Sequence, residues 1–281
     1  MEIKHILIAS FSDYRKNLKF ILPHAVEYLL DAVVFFIIAV GALLAIGFYL
    51  PSLAIEDLEL LYTQVPFFAI AFTVFVLLVF ILLLIFFNSA ARAAIIGMAG
   101  ESFQDRRATL SKGLESAKEH GLKIFLFQTL LGTAYVALIL VAFLPAGFLA
   151  TGSLPMATAA LLILLICVSL FFLLYVFTLF VPQEMVLRGR GLIESFKESF
   201  LFVRQNFKAV IAYGAVASMV VVSVGVLSMG VGFLGAGKLF AKILQNLFAL
   251  IAGLVITPYF EIVKTYMVVG ENNAGNTYKS Y

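Results

Sequence analysis

Six apolar runs, each about 20 residues or longer and almost free of charge, dominate this 281-residue sequence. A helix of about 20 apolar residues is long enough to cross the ~30 Å hydrocarbon core of a bilayer. Only 12% of the residues are charged, about half the share found in an ordinary soluble domain. This composition excludes a water-soluble globule, a disulfide scaffold and a nucleic-acid-binding domain. The sequence therefore predicts an integral membrane protein with several spans.

The runs predict an all-α helical bundle, because a helix satisfies all of its backbone hydrogen bonds internally and lipid offers none. The predicted spans lie at about 24–50, 66–91, 122–144, 156–181, 207–230 and 239–265. They form three hairpins within one six-helix transmembrane domain, residues 1–265, and a short cytoplasmic tail follows at 266–281. Pro258 lies within the sixth run and predicts a kink there.

An amphipathic segment precedes each predicted hairpin, at 3–21, 103–121 and 193–208. Each segment repeats apolar residues at the three- and four-residue spacing of one helix face. The stripes are Ile3, Leu7, Phe11, Tyr14, Leu18 and Ile21 in the first, Phe103, Leu110, Leu114 and Ala117 in the second, and Ile193, Phe196, Phe200, Val203 and Phe207 in the third. We expect each to be an amphipathic interfacial helix at the cytoplasmic face.

The distribution of basic residues predicts the orientation. All Lys and Arg residues except Lys238 and Lys242 lie in the N-terminal segment, in the loops after spans two and four, or at the C-terminal end. Cytoplasmic loops carry such an excess of positive charge, so we expect a multi-pass protein of the cytoplasmic membrane with both termini in the cytoplasm. No small-residue cleavage site follows the first run, and we expect this run to be retained.

The segment after span four carries a resemblance to known sequences. A proline ends the span at Val181-Pro182, a glycine-containing link follows at Arg188-Gly-Arg-Gly191, and an amphipathic helix then leads into Arg204-Gln-Asn-Phe207 and the next span. This resembles uncharacterised prokaryotic six-span membrane families, among them the membrane domain associated with some glycerophosphodiester phosphodiesterases. The resemblance covers about residues 90–265 and implies a six-helix membrane module. It transfers no catalytic residue, because no phosphodiesterase domain is present.

Three sets of charged residues in the spans are candidates for a functional site. His24, Glu27 and Asp31 share one face at the start of span one, and ionisable residues at membrane depth are functional candidates. They are interpreted as structural, paired with Arg92 or a lysine of an amphipathic segment, or as a proton or cation site. Two further acid–base pairs, Glu261 with Lys264 and Glu184 with Arg188, suggest either a charge network that closes a pore or ordinary interface salt bridges.

Basic residues of the amphipathic segments are candidates for contact with anionic lipid headgroups or a partner protein; the alternative is a solvated rim. These residues are Arg15, Lys16, Lys19, Arg106, Arg107, Arg188, Arg190 and Arg204. Small residues at every fourth position, Ser89, Ala93 and Gly97 in one run and Gly214 and Ser218 in another, predict close helix contacts.

A glycine-rich stretch, Gly232 to Gly237 followed by Lys238, matches the spacing of a phosphate-binding loop. The residue after the lysine is Leu239 and the flanks are membrane spans, so we expect no nucleotide. No serine, cysteine or histidine constellation suggests an enzyme, and we expect no cofactor and no metal. The expected partners are membrane lipids, and another membrane protein or a second copy of this chain.

Together these features favour a non-catalytic integral membrane protein that acts as an accessory, assembly or lipid-organising subunit. The alternative is a transporter or channel for a small solute, ion or lipid, which would use the acidic residues near the cytoplasmic face.

Overall fold

The computed structural model describes residues 3–49, 67–105, 107–143, 154–233 and 238–278, and within these ranges the chain forms helices and no strands. The α-helices are α1 Ile3–Lys16, α2 Leu22–Tyr49, α3 Phe67–Asp105, α4 Leu110–Phe143, α5 Leu154–Thr178, α6 Val181–Arg188, α7 Leu192–Gln205, α8 Phe207–Phe233 and α9 Lys238–Tyr278. A 3-10 turn, Leu18–Ile21, connects α1 to α2.

Six helical stretches in the described chain are long and apolar enough to cross a membrane. They are Leu18–Gly41, Ala71–Asp105, Leu110–Phe143, Ala157–Arg188, Phe207–Gly230 and Phe240–Gly270. The prediction of an all-helical, multi-pass membrane protein is therefore confirmed.

Three helices extend beyond the spans that the sequence predicted. Helix α3 continues to Asp105 and α4 begins at Leu110, so the expected amphipathic segment 103–121 is divided between the ends of two long helices. Helix α9 continues through residues 266–278, which were expected to form a tail. Tyr266 is buried there, because its ring packs edge-on against Phe103 of α3 at 5.0 Å between centroids.

The buried residues gather at one end of the bundle. On α3, no residue from 71 to 88 is buried, whereas every residue from 93 to 100 is. Every residue from 180 to 185, at the start of α6, and from 261 to 268 on α9 is buried as well. We call the region formed by 93–100, 180–185 and 261–268 the packed end. The remaining lengths of the spans expose large apolar side chains, as expected of surfaces in lipid.

Helices α3 and α4 cross closely at the packed end because small residues line their contact. A Cβ atom added to Gly97 would lie 2.5 Å from Ser116 Cβ, and one added to Gly113 would lie 2.8 Å from Met98 Sδ. Ser89 and Ala93 are buried beside Gly97, as their spacing predicted. Gly214 differs, since a Cβ there would meet nothing within 4 Å; its spacing does not mark a close contact.

Helix α1 packs across the proline of α9. Tyr14 Oη donates a hydrogen bond to the Val255 carbonyl at 2.9 Å, and Tyr259 Oη donates to the Leu7 carbonyl at 3.3 Å. The rings of Tyr14 and Tyr259 meet with 6.1 Å between centroids. Helix α9 continues through Pro258, so α1 covers the helix where its backbone bonding is interrupted.

Helix α7 packs on its neighbours mainly through residues outside its predicted apolar stripe. Its buried residues are Ser195, Ser199, Phe202 and Val203. Ser199 Oγ donates to the Phe177 carbonyl at 2.7 Å, which ties α7 to the end of α5. Ile193 is 83% exposed, so only Val203 of the predicted stripe is in the core.

Candidate functional site

A buried group of charged and polar side chains surrounds Glu261 of α9. Arg92 Nε of α3 lies 3.0 Å from Glu261 Oε1, and Lys264 Nζ donates to the same oxygen at 2.6 Å. Gln183 Nε2 of α6 donates to the other oxygen at 2.9 Å. We call these four residues the Glu261 cluster. A buried charge is tolerated only when it is paired and hydrogen-bonded, and Glu261 obtains its partners from α3, α6 and α9. The cluster therefore fixes the register of these three helices.

Local sequence positions each member of the Glu261 cluster. Glu261 and Lys264 are three residues apart on α9, so they share one helix face. Arg92 sits among the small residues that bring α3 close to its neighbours. The cluster contains two cations and one carboxylate, and its formal net charge is positive. The sequence suggested the Glu261–Lys264 pair and named Arg92 as a candidate for the same charge network, although as a partner of the acidic residues of α2. It gave no sign that Gln183 would join.

A second polar cluster crosses from α2 to α4. His24 Nδ1 contacts Glu27 Oε2, and Asn88 Nδ2 of α3 donates to Glu27 Oε1 at 2.7 Å. Gln128 Nε2 of α4 donates to Asn88 Oδ1 at 3.4 Å, and Ser89 Oγ donates to Gln128 Oε1 at 2.7 Å. We call these five residues the Glu27 cluster. Asn88 was missed by the sequence reasoning, although an amide four residues before Arg92 in an apolar run is a usable signal.

The structural interpretation of the α2 residues expected Arg92 to pair with their acidic groups. Arg92 instead forms its ion pair with Glu261. Asp31 Oδ1 is buried and has no hydrogen-bond partner within the described residues, and the same holds for His24 Nε2. His24, Glu27 and Asp31 are not gathered into a metal-binding group: the described residues contain no group of three or more His, Cys, Asp or Glu side chains that could hold an ion.

The predicted pair Glu184–Arg188 is part of a wider ionic group. Glu184 Oε2 lies 2.9 Å from Arg188 Nη1 and 3.0 Å from Arg190 Nη1. Arg190 Nη1 is also 3.2 Å from Glu198 Oε2 of α7. Gly189 makes this arrangement possible, because its left-handed backbone, with φ of 64°, ends α6 and reverses the chain. Arg188 and Arg190, which are also candidates for contact with lipid or a partner, are engaged by carboxylates of this chain.

The other basic candidates are placed differently. Arg15, Lys16, Lys19, Arg107 and Arg204 are exposed at the ends of helices or in the links between them. Arg106 lies outside the residues that the structure describes. The five exposed side chains are accessible to lipid headgroups or a partner.

An apolar groove lies between α2, α3 and α4, with a cavity volume of about 350 Å³. Its walls include Leu22, Val26 and Leu30 of α2, Phe87 and Met98 of α3, and Leu114 of α4. Leu114 is 69% exposed and Val26 is 53% exposed, so the groove opens onto the surface of the bundle. We call it the α2–α3–α4 groove. Glu27 contributes to its lining but is only 6% exposed.

A second cavity, of about 620 Å³, lies between α4 and α5 beside α7. Its lining is apolar and includes Leu138, Leu173 and Phe196. Like the first groove, it has the apolar character of a surface that meets hydrocarbon chains.

The fold and its surfaces define a polytopic α-helical membrane protein. Residues 89–270 match the family described as Domain of unknown function (DUF7847), and the chain belongs to this family. The match includes every member of the Glu261 cluster and begins at Ser89, after α2. It includes the segment that carries the sequence resemblance but makes no link to a phosphodiesterase-associated domain. No curated protein matches the chain.

Proposed function

We propose that this protein is a non-catalytic accessory, assembly or lipid-organising subunit of the membrane. The observation that supports this most is the state of Glu261, whose two carboxylate oxygens are fully engaged by Arg92, Lys264 and Gln183. A charge used in this way stabilises packing between helices and is not available to a solute. Outside the packed end, the spans offer mostly apolar surface for lipid or a partner.

The proposed architecture is three hairpins, each preceded by an amphipathic interfacial helix. Within each proposed hairpin the two spans are in contact, α2 with α3, α4 with α5, and α8 with α9, beside a more extensive contact between α3 and α4. The exposed apolar residues Phe11 of α1 and Ile193 of α7 fit helices that lie in the membrane interface. The distribution of Lys and Arg supports a cytoplasmic membrane location with both termini in the cytoplasm.

Native mass spectrometry of the protein, extracted gently from its own membrane, tests this function. We expect either a stoichiometric protein partner or a defined lipid to remain bound. Ile193→Ser should reduce retention of a partner that docks on α7, whereas Leu165→Ser, on the exposed face of α5, is the control. A bare protein that carries neither lipid nor partner under these conditions would contradict the proposal.

A second candidate function is transport of a small solute, ion or lipid. The unpartnered Asp31 Oδ1 and the hydrogen-bonded chain of the Glu27 cluster favour it, since polar groups at membrane depth mark ion and proton paths. Flux into vesicles that contain the purified protein tests this candidate. Loss of flux in Asp31→Asn, but not in the control Asp105→Asn at the exposed end of α3, would support transport and contradict the accessory function.

A further inference from the structure

We propose that the α2–α3–α4 groove holds one acyl chain of an anionic phospholipid, with the phosphate at Lys19 and Arg107. This inference deepens the lipid-organising part of the proposed function and rests on it. It assigns a chemical class of ligand and two headgroup contacts to a groove of this chain.

The length of the groove suits one acyl chain. On α2 its lining runs from Leu22 to Leu30, a helical distance of about 12 Å at ~1.5 Å per residue. This is close to half of the ~30 Å hydrocarbon thickness of a bilayer, so the groove extends through most of one leaflet. Its walls are apolar side chains, and its volume of about 350 Å³ falls within the range of ligand cavities.

Two exposed basic residues stand beside the same end of the groove. Lys19 lies three residues before Leu22 and Arg107 lies three residues before Leu110, and both leucines line the groove. Their neighbours Phe20 and Ala108 belong to one buried cluster with Met98, which also lines it. The fold therefore brings Lys19 and Arg107 to the mouth from two different segments of the chain.

The charge at the mouth favours a phosphate. Lys19 and Arg107 are both exposed, and basic side chains at the membrane surface attract anionic headgroups. Two backbone N–H groups at the start of α4 are already bonded: Thr109 N donates to Glu101 Oε2 at 2.8 Å and Lys112 N donates to Thr109 Oγ1 at 3.3 Å. The headgroup contacts are therefore assigned to the two side chains.

The carboxylate of Glu27 does not make the groove selective for a lipid with a cationic headgroup. Its carboxylate accepts from Asn88 at 2.7 Å and contacts His24, and it is 6% exposed. The charge is therefore bonded within the protein, although Glu27 contributes to the lining of the groove. The occupant thus meets apolar side chains along the walls and the basic side chains of Lys19 and Arg107 at the mouth.

The absence of tryptophan from this chain allows a direct test in lipid vesicles. Leu114→Trp places a single fluorophore in the groove, and Leu165→Trp places one on the exposed face of α5 as a control; both leucines are more than half exposed. Each variant is reconstituted into vesicles that contain brominated phosphatidylglycerol, brominated phosphatidylcholine or brominated phosphatidylethanolamine, and quenching gives the relative binding of the three lipids at each site.

We expect the fluorophore of Leu114→Trp to report a preference for phosphatidylglycerol, by on the order of fivefold for each basic residue in contact with the headgroup. The fluorophore of Leu165→Trp should report no such preference. Lys19→Gln with Arg107→Gln should remove the preference in the groove, while Arg204→Gln with Lys208→Gln, at the junction of α7 and α8, should not. Gel filtration of every variant checks that it is folded.

Equal preference at the two positions would overturn the inference, since the groove would then contact only bulk lipid. A preference for phosphatidylethanolamine over both other lipids would overturn it too, and would assign recognition to Glu27. Neither result affects detection of a protein partner by native mass spectrometry, so failure of the lipid site is distinguishable from failure of the proposed function.

Discussion

The Tyr14 hydroxyl on α1 donates a hydrogen bond to the Val255 carbonyl on α9, with 2.9 Å between the two oxygens. Pro258 lies three residues further along α9, and because proline has no N–H, the Leu254 carbonyl loses its helical partner. Side chains of neighbouring helices commonly compensate for such interruptions in membrane helices. Tyr14 therefore stabilises α9 where its own backbone bonding is weakest.

Tyr14→Phe should lower the free energy of unfolding by about 1 kcal/mol, because it removes one hydrogen bond to the Val255 carbonyl. Reversible unfolding in mixed micelles of dodecyl sulfate, followed by circular dichroism, measures this change. Tyr175→Phe is the control, since Tyr175 is half exposed on α5. Equal stability of the wild type and Tyr14→Phe would contradict the role of this bond.

The burial of Tyr14 also predicts that the stability of the protein decreases at alkaline pH. Burial raises the pKa of Tyr14 from its ordinary value near 10 to about 12, so folding favours the neutral hydroxyl. The stability that this provides is complete below about pH 10 and is lost as the pH rises through about 12. Between these values the unfolding midpoint of the wild type should fall more steeply than that of Tyr14→Phe. Parallel curves for the two proteins would refute this assignment.

Substitutions of different residues in the Glu261 cluster should lower the stability of the protein by different amounts. Glu261→Gln leaves the buried Lys264 and the partly buried Arg92 without a counter-charge, and breaking a buried ion pair in this way costs about 3–5 kcal/mol. Lys264→Met leaves Arg92 and Glu261 as a balanced pair, so its loss of stability should be smaller. Micelle unfolding of both variants tests the order. A larger loss in Lys264→Met would argue against Glu261 as the centre of the cluster.

The α3–α4 contact predicts that Gly97→Ala is destabilising, by about 1–3 kcal/mol as for overpacked sites in cores. The added Cβ would overlap Ser116 Oγ and lie 2.5 Å from Ser116 Cβ. Gly132→Ala is the matched control on α4, because a Cβ there would meet nothing within 4 Å. Thermal unfolding should separate the two variants.

Adding Ser116→Gly to Gly97→Ala should restore much of the lost stability, since it removes both atoms of the clash. If the double variant is no more stable than Gly97→Ala, the loss arises elsewhere on α3.

The membrane class was predictable because it depends on composition and on the length of apolar runs, which need no knowledge of contacts. The burial of Ser89, Ala93 and Gly97 followed from their spacing, yet similar spacing at Gly214 marks no contact. Small residues allow helices to approach but do not determine which helix approaches. The partner must be known, and a single sequence does not provide it.

The partner of Arg92 illustrates the same limit. Helix α3 contacts both α2 and α9, and each carries acidic residues that are suitable in chemistry. The choice of Glu261 depends on the register between α3 and α9, which is set by packing at the packed end. The packing face of α7 could not be read from its pattern for a different reason: in a membrane protein the apolar stripe can face lipid, while small and hydroxyl-bearing residues such as Ser195 and Ser199 face the neighbouring helices.

The packed end has a consequence for how this protein meets bilayers of different thickness. Membrane helices adapt to a mismatch between their apolar length and the hydrocarbon by tilting. Residues 71–81 of α3 include no buried side chain, so tilting this part of the helix disrupts little protein packing. Residues 93–100 are buried among their neighbours and keep their position. A thinner or thicker bilayer is thus accommodated by spreading or closing the spans at one leaflet, about a fixed pivot at the other.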